Sequence, residues 1–204
     1  MKKLFLTSSA YQVLDKFVEL LDRSPSELTI ALVPTAADTY ENKPFVEKDR
    51  NKLLELGFKV IDINIVGKNE EELKELFKNI DIIFVAGGNT FYLLEQTRAS
   101  GFDKIVEEHI NQGKWYIGSS AGSILACPSI EYIKLLDNPQ DAPNLKSFEA
   151  LNLIDKMIIP HFDSEKYQDR IKQILEDHPQ YQFIRLTDNQ AFLVIDEKEE
   201  IIEI

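Results

Sequence analysis

The chain has 204 residues, with 23 Lys and Arg against 35 Asp and Glu, a net charge of -12. That length suits one α/β domain over residues 1–204, and no Pro/Gly/Ser-rich linker divides it. The acidic surplus, with no basic block, argues against a nucleic-acid partner and obliges any acidic ligand to find a specific cation in its pocket. The one cysteine, Cys127, excludes an internal disulfide and lies in an apolar stretch that suits packing. The apolar run Leu4 to Leu6 is too short for a signal peptide, and no segment has the length of a membrane span. A cytoplasmic, soluble protein with no membrane partner is the expectation.

Lys3 to Thr7 reads as a first strand, and Val13, Leu14, Phe17, Val18 and Leu21 recur at helical spacing. Leu28 to Val33 is a nearly all-apolar second strand, as expected for a parallel sheet covered on both faces. Phe45 to Leu56 forms an amphipathic helix closed by Gly57. Phe58 to Ile65 alternates as a third strand, and Asn69 to Phe77 makes a third helix. Asp81 to Val85 is the next strand, ended by Gly87-Gly88-Asn89-Thr90 before a helix over Phe91 to Gln96. Another helix, Phe102 to Ile110, leads to Gly113 and the strand Trp115 to Ile117. Leu135 to Lys146 carries turn signals at Asp137-Asn138-Pro139 and Ala142-Pro143-Asn144, which predict a long loop near the site. Lys156 to Ile159 is a short strand ending in Pro160-His161-Phe162, and Tyr167, Ile171, Ile174 and Leu175 mark a helix face. Gln182 to Leu186 and Ala191 to Ile195 read as two strands around a tight connection, and Glu200 to Ile204 as an edge strand. This alternation predicts a mostly parallel sheet with helices on both faces.

Gly118-Ser119-Ser120-Ala121-Gly122 has the form G-x-S-x-G, the turn that lifts a serine hydroxyl above the end of a parallel sheet. Strand and helix nearly touch there, so glycines replace side chains that would collide. Ser120 is the candidate nucleophile, against the alternative of a plain small-residue turn. Ligands of open α/β sheets bind outside the carboxyl ends of the strands. Gly87-Gly88-Asn89, Ser120, His161 and Asp188 all lie at such ends. A serine nucleophile needs a base, and the base needs a carboxylate to fix its tautomer. His161 fits the base better than His109, beside an apolar helix face, or His178, in a polar turn. Asp188 fits the acid, with Asp137, Asp141 and Asp163 as rivals. The N–H groups of Gly88 and Ala121 could hold an oxyanion. Gly87-Gly88-Asn89-Thr90 could equally be a helix entry with Asn89 or Thr90 as its cap. No His/Cys/Asp/Glu spacing suggests a metal site, and no cofactor is expected.

FVAGGNTFYLL, GSSAG, PHF followed by DRI, and LTDNQAFLV occur in the order found in the peptidase E family, which the chain resembles over nearly its whole length. That family comprises aspartyl dipeptidases and relatives including the cyanophycinases. The resemblance implies a three-layer, flavodoxin-like sandwich shared with class I glutamine amidotransferase domains. It places the family nucleophile on Ser120, the base on His161, the oxyanion donors on Gly88 and Ala121, and the acid, usually a glutamate, on Asp188. Aspartyl dipeptidases carry tryptophan before the nucleophile, where this chain has Ser119. Their specificity arginine falls on Arg170, whose guanidinium could clamp an acidic side chain, and Asn89 joins the expected substrate contacts. The implied activity is hydrolysis of short peptides with a preference for N-terminal Asp. A related amide hydrolase and a catalytically silent binding protein are the alternatives. The expected partner is a small peptide, and the chain is expected to be a monomer or homodimer.

Overall fold

The computed structural model describes residues 1–204. Five strands and five helices lie within residues 3–119, alternating except for two successive helices before the fifth strand. In chain order these are β1 (Lys3–Thr7), α1 (Ala10–Val18), β2 (Thr29–Val33), α2 (Pro44–Glu55), β3 (Lys59–Asp62), α3 (Glu70–Phe77), β4 (Ile82–Val85), α4 (Thr90–Ser100), α5 (Phe102–Asn111) and β5 (Trp115–Ser119). After β5 come the four-residue α6 (Ala121–Ile124), β6 (Met157–Ile159), α7 (Gln168–Asp177), β7 (Phe183–Arg185), β8 (Gln190–Ile195) and β9 (Lys198–Glu203).

Seven strands form the central sheet in the order β3-β2-β4-β5-β1-β8-β9. The first five strands run parallel, which demands crossover helices and so covers both faces. β8 joins β1 antiparallel, and β9 folds back on β8 at the edge. Successive strand residues face opposite ways, so one core forms on each side of the sheet. Phe5, Ile30, Leu32, Phe84 and Ile117 pack against Phe17 of α1 and Leu53 of α2. Leu4, Leu6, Ala31, Val85 and Tyr116 face the helices from α3 to α7. Under α1, the Phe17 ring lies tilted against Phe5 at 5.3 Å and meets Trp115 edge-on at 5.2 Å, locking β1 and β5 to that helix.

The mostly parallel α/β architecture is as the residue pattern implies, and four local expectations change. α1 begins at Ala10, after Ser9, and ends at Val18. Leu20 and Leu21 still pack on the core although the chain has left the helix there, so apolar spacing overran the helix end. The alternation in Phe58 to Ile65 yields only β3, because β3 lies at the sheet edge and its chain turns away after Asp62. There the Thr35 hydroxyl accepts from the Ile65 N–H. β6 does not join the central sheet. It pairs in parallel with β7, and the turn holding Asp188 joins β7 in one sheet to β8 in the other rather than closing a hairpin. The 135–146 segment is compact, with a single helical turn at Pro139–Asp141 packed against the start of α4.

Candidate active site

The functional side chains gather where β1, β4, β5 and β6 end. Gly118, the last glycine before the candidate nucleophile, lies so close to the following turn that a Cβ would sit 2.6 Å from the Gly122 carbonyl carbon. At Gly122 a Cβ would sit 2.1 Å from the Val85 carbonyl oxygen. The glycines of the G-x-S-x-G turn are therefore demanded by contact. Between them Ser120 has φ 49° and ψ -105°, a sparsely populated conformation costing about 1–3 kcal/mol. Its N–H donates to the Thr7 carbonyl at 3.0 Å, tying the turn to β1.

Ser120 Oγ lies 3.2 Å from His161 Nε2, and His161 Nδ1 lies 2.7 Å from Asp188 Oδ1. An ionised carboxylate only accepts, so the short second contact places the imidazole proton on Nδ1 and leaves Nε2 free to accept from the serine hydroxyl. His161 also has a positive φ, 57°. Its N–H donates to Ser8 Oγ at 2.7 Å, and Ser8 donates to Asp188 Oδ1 at 2.6 Å. The bond from His161 holds the Asp188 carboxyl below its ordinary range, against its partial burial, and the Ser8 bond adds to it.

Gly88, just after the end of β4, lines the same cavity as Ser120. Its φ is 143°, and a Cβ there would sit 2.1 Å from the Ala36 carbonyl oxygen, so only glycine fits. The Gly88 N–H has no partner within the protein. Ala121 opens α6, where first-turn N–H groups lack intrahelical acceptors. Gly88 thus shares a cavity with Ser120, and Ala121 follows Ser120 directly in the chain.

The site opens into a cavity of about 330 Å³. Its walls include Tyr40 and Phe45, the aliphatic Ile124, Ile133 and Leu136, and Tyr167, whose ring lies 5.7 Å from that of His161. Three charged side chains besides those named line it: Asp49, Asp137 and Lys166. Asp137 Oδ2 accepts from the Thr90 N–H at 2.8 Å and from the Thr90 hydroxyl at 2.5 Å, while Oδ1 has no protein partner. Burial raises the Asp137 pKa, the Thr90 bonds and His161 pull against it, and Asp141 adds a smaller push upward. Asp49, only 2% exposed, accepts from the Tyr11 N–H at 2.9 Å, and burial pushes its carboxyl up to about 7. The Tyr11 bond opposes that rise, and the nearby Ser119 hydroxyl adds to the opposition.

Not every expected residue reaches the cavity. Asn89 is 2% exposed, and its amide is fully engaged. Oδ1 accepts from the Tyr92 N–H as the cap of α4, and Nδ2 donates to Asn138 O and Asp141 Oδ2. It holds the 135–146 segment in place and leaves no group for a substrate. Arg170 lies on the exposed face of α7 and does not line the cavity, because α7 buries Ile171 and Ile174 instead. Tyr167, which precedes that helix, and Lys166 occupy the wall instead. Of the rival acids, Asp137 and Asp141 hold Thr90 and Asn89, and Asp163 is exposed. His109 is a buried side chain bonded to the Trp115 carbonyl at 3.1 Å, with burial lowering its pKa to about 4. His178 ends α7 and stacks on Tyr181. Cys127 is fully buried. No group of three or more His, Cys, Asp or Glu is arranged to hold a metal ion, and no helix is long and apolar enough to cross a membrane.

Ser8, Asp49 and the wall residues Lys166 and Tyr167 escaped the sequence reading as site residues. Ser8 carried a usable signal: it follows the apolar β1, and β1 runs beside the strand that delivers Ser120.

The fold and the sequence together define a hydrolase of the peptidase class. The chain belongs to peptidase family S51, which it matches over residues 4–202. It is similar to uncharacterized peptidase PM1590 of Pasteurella multocida (strain Pm70), 32% identical over 202 residues, covering 99% of this chain and 97% of that one. It is also similar to a peptidase E of Salmonella arizonae (strain ATCC BAA-731 / CDC346-86 / RSK2980), 33% identical over 162 residues, covering 76% and 67% of the two chains. The crystal structure of a candidate peptidase E from Listeria monocytogenes EGD-e superposes with a TM-score of 0.94 at 32% identity, covering 100% of this chain and 99% of the other.

Proposed function

We propose that this family S51 peptidase is a serine peptidase acting on short peptides, with Ser120, His161 and Asp188 as its catalytic residues. The observation that carries the reading is the unbroken run from Ser120 Oγ through His161 to Asp188, at 3.2 and 2.7 Å, beside the unpartnered Gly88 N–H. Ser120 Oγ attacks the scissile carbonyl as its proton passes to His161 Nε2. Asp188 stabilises the imidazolium, and the Gly88 and Ala121 N–H groups receive the oxyanion. His161 then protonates the departing amine, and water taken up in its place releases the acyl group by the reverse sequence.

The cavity volume and its partly apolar walls favour a ligand of a few residues over a folded protein. Lys166 is the cation on the wall, and the free Asp137 Oδ1 supplies an anion. A peptide that begins with an acidic residue presents the complementary pair, a carboxylate for Lys166 and an α-ammonium for Asp137. The preference for N-terminal Asp is thus assigned to Lys166 rather than Arg170.

The test is turnover of a panel of Asp-initiated and neutral dipeptides by wild type and Ser120→Ala. The substitution is expected to lower kcat by roughly three orders of magnitude or more while the protein stays folded. Wild-type turnover by Ser120→Ala would end the serine assignment. Equal kcat/KM for acidic and neutral peptides would end the specificity assignment alone.

A further inference from the structure

Ser8 occupies a position that the triad alone does not explain. β1 lies between the two strands that matter to the chemistry, with Thr7 opposite Ser119 of β5 on one side and Ala191 of β8 on the other. The next residue, Ser8, therefore emerges between the nucleophile turn and the turn that carries the acid. It is 1% exposed, and its hydroxyl has three neighbours, all in the site. It accepts from the His161 N–H at 2.7 Å, donates to Asp188 Oδ1 at 2.6 Å, and stands 3.2 Å from His161 Nδ1.

A hydroxyl has one donor and two acceptor sites, and this one divides them between the base and the acid. Both need restraint. Asp188 sits on a turn between two sheets with its side chain 36% exposed, and Oδ2 takes no bond from the protein. His161 is held at φ 57°, a backbone state that persists only where its surroundings impose it. Without the Ser8 hydroxyl, the bond to His161 is the only hydrogen bond left to fix the Asp188 carboxylate.

We propose that Ser8 is a positioning residue of the peptidase site, whose hydroxyl fixes the Asp188 carboxylate and the His161 main chain in one geometry. It touches no reacting atom and acts through Asp188 and the His161 main chain, so that His161 keeps its proton on Nδ1 and presents Nε2 to Ser120. The assignment rests on the serine-peptidase reading above.

The experiment is a double-mutant cycle on turnover of the best dipeptide substrate, using Ser8→Ala, Asp188→Ala and the double variant, with Ser120→Ala in parallel. Thermal melts establish that each variant is folded. In the wild-type background Ser8→Ala is expected to lower kcat about 10- to 100-fold with KM nearly unchanged, the scale of a misplaced catalytic group. In the Asp188→Ala background the same change is expected to cost several-fold less than in wild type, because the carboxylate that Ser8 fixes is gone and only the His161 main-chain bond remains. Equal losses in both backgrounds, or no loss in wild type, would overturn the proposal. Ser8→Cys, near in size but a weak donor, is the second variant if Ser8→Ala does not fold. It is expected to lose activity similarly, and a wild-type rate would count against Ser8. Full activity of Ser120→Ala would instead refute the triad itself, so the two failures are distinguishable.

Discussion

Asp188 stands behind His161 and Asp137 lines the cavity in front of it, and their surroundings drive them apart. Asp188 accepts from His161 and Ser8, and these bonds hold its carboxyl low. Asp137 accepts only from Thr90, on one oxygen, and burial holds it high. Pairs of carboxylates separated in this way take different roles. The difference teaches that closeness to the histidine does not make a carboxylate the acid of the site. In the proposed mechanism the bond to Nδ1 does, and the second carboxylate is left to bind substrate.

The largest effect should come from Asp188→Asn, which keeps the shape but reverses the preferred tautomer of His161. Its kcat is expected to fall by about 10³–10⁴. Asp137→Asn should leave kcat within a few-fold and raise KM about tenfold for peptides with a free N-terminus, by removing one charge-assisted bond. N-acetylated peptides should feel no change. If the two variants behave alike, the separation of roles is wrong. Lys166→Ala should raise KM for acidic peptides more than for neutral ones, whereas Arg170→Ala should change neither by more than about twofold.

A third carboxylate gives the smallest effect and the one most tied to pH. The Asp49 pKa is raised from 3.8 to about 7, so the folded state binds the extra proton between those values. Its burial therefore costs stability progressively as pH rises through that window, and fully above it. Asp49→Asn, whose amide can still accept from the Tyr11 N–H, removes the titration. Melting temperatures should show the variant gaining on wild type at about pH 8.5 relative to about pH 5. A constant difference across that range would contradict the raised pKa.

Much of this site was written locally. Ser120 sits between two glycines whose reason is steric contact, and His161 ends an apolar run, so both could be read from short segments. The alternation of strands and helices likewise announced the parallel sheet. What stayed hidden depends on distant register. Ser8 matters because β1 lies between β5 and β8, a fact of strand order that no nearby residue encodes. The sequence around Asn89 fits both a substrate contact and a helix cap. The deciding partners, Asn138 and Asp141, lie some fifty positions along the chain. Arg170 shows how bordering a buried helix face does not bring a side chain into the cavity. Tyr167, Ile171 and Ile174 do pack on the core, and Arg170, next to Ile171, falls on the solvent side of α7.

The most direct test of the central claim is intact mass after incubation with a small fluorophosphonate, for wild type and Ser120→Ala. Stoichiometric labelling of wild type, absent in Ser120→Ala, is the predicted result, because only an activated serine is phosphonylated rapidly. Labelling that persists in Ser120→Ala, or wild type that hydrolyses dipeptides yet never labels, would contradict a nucleophile at Ser120.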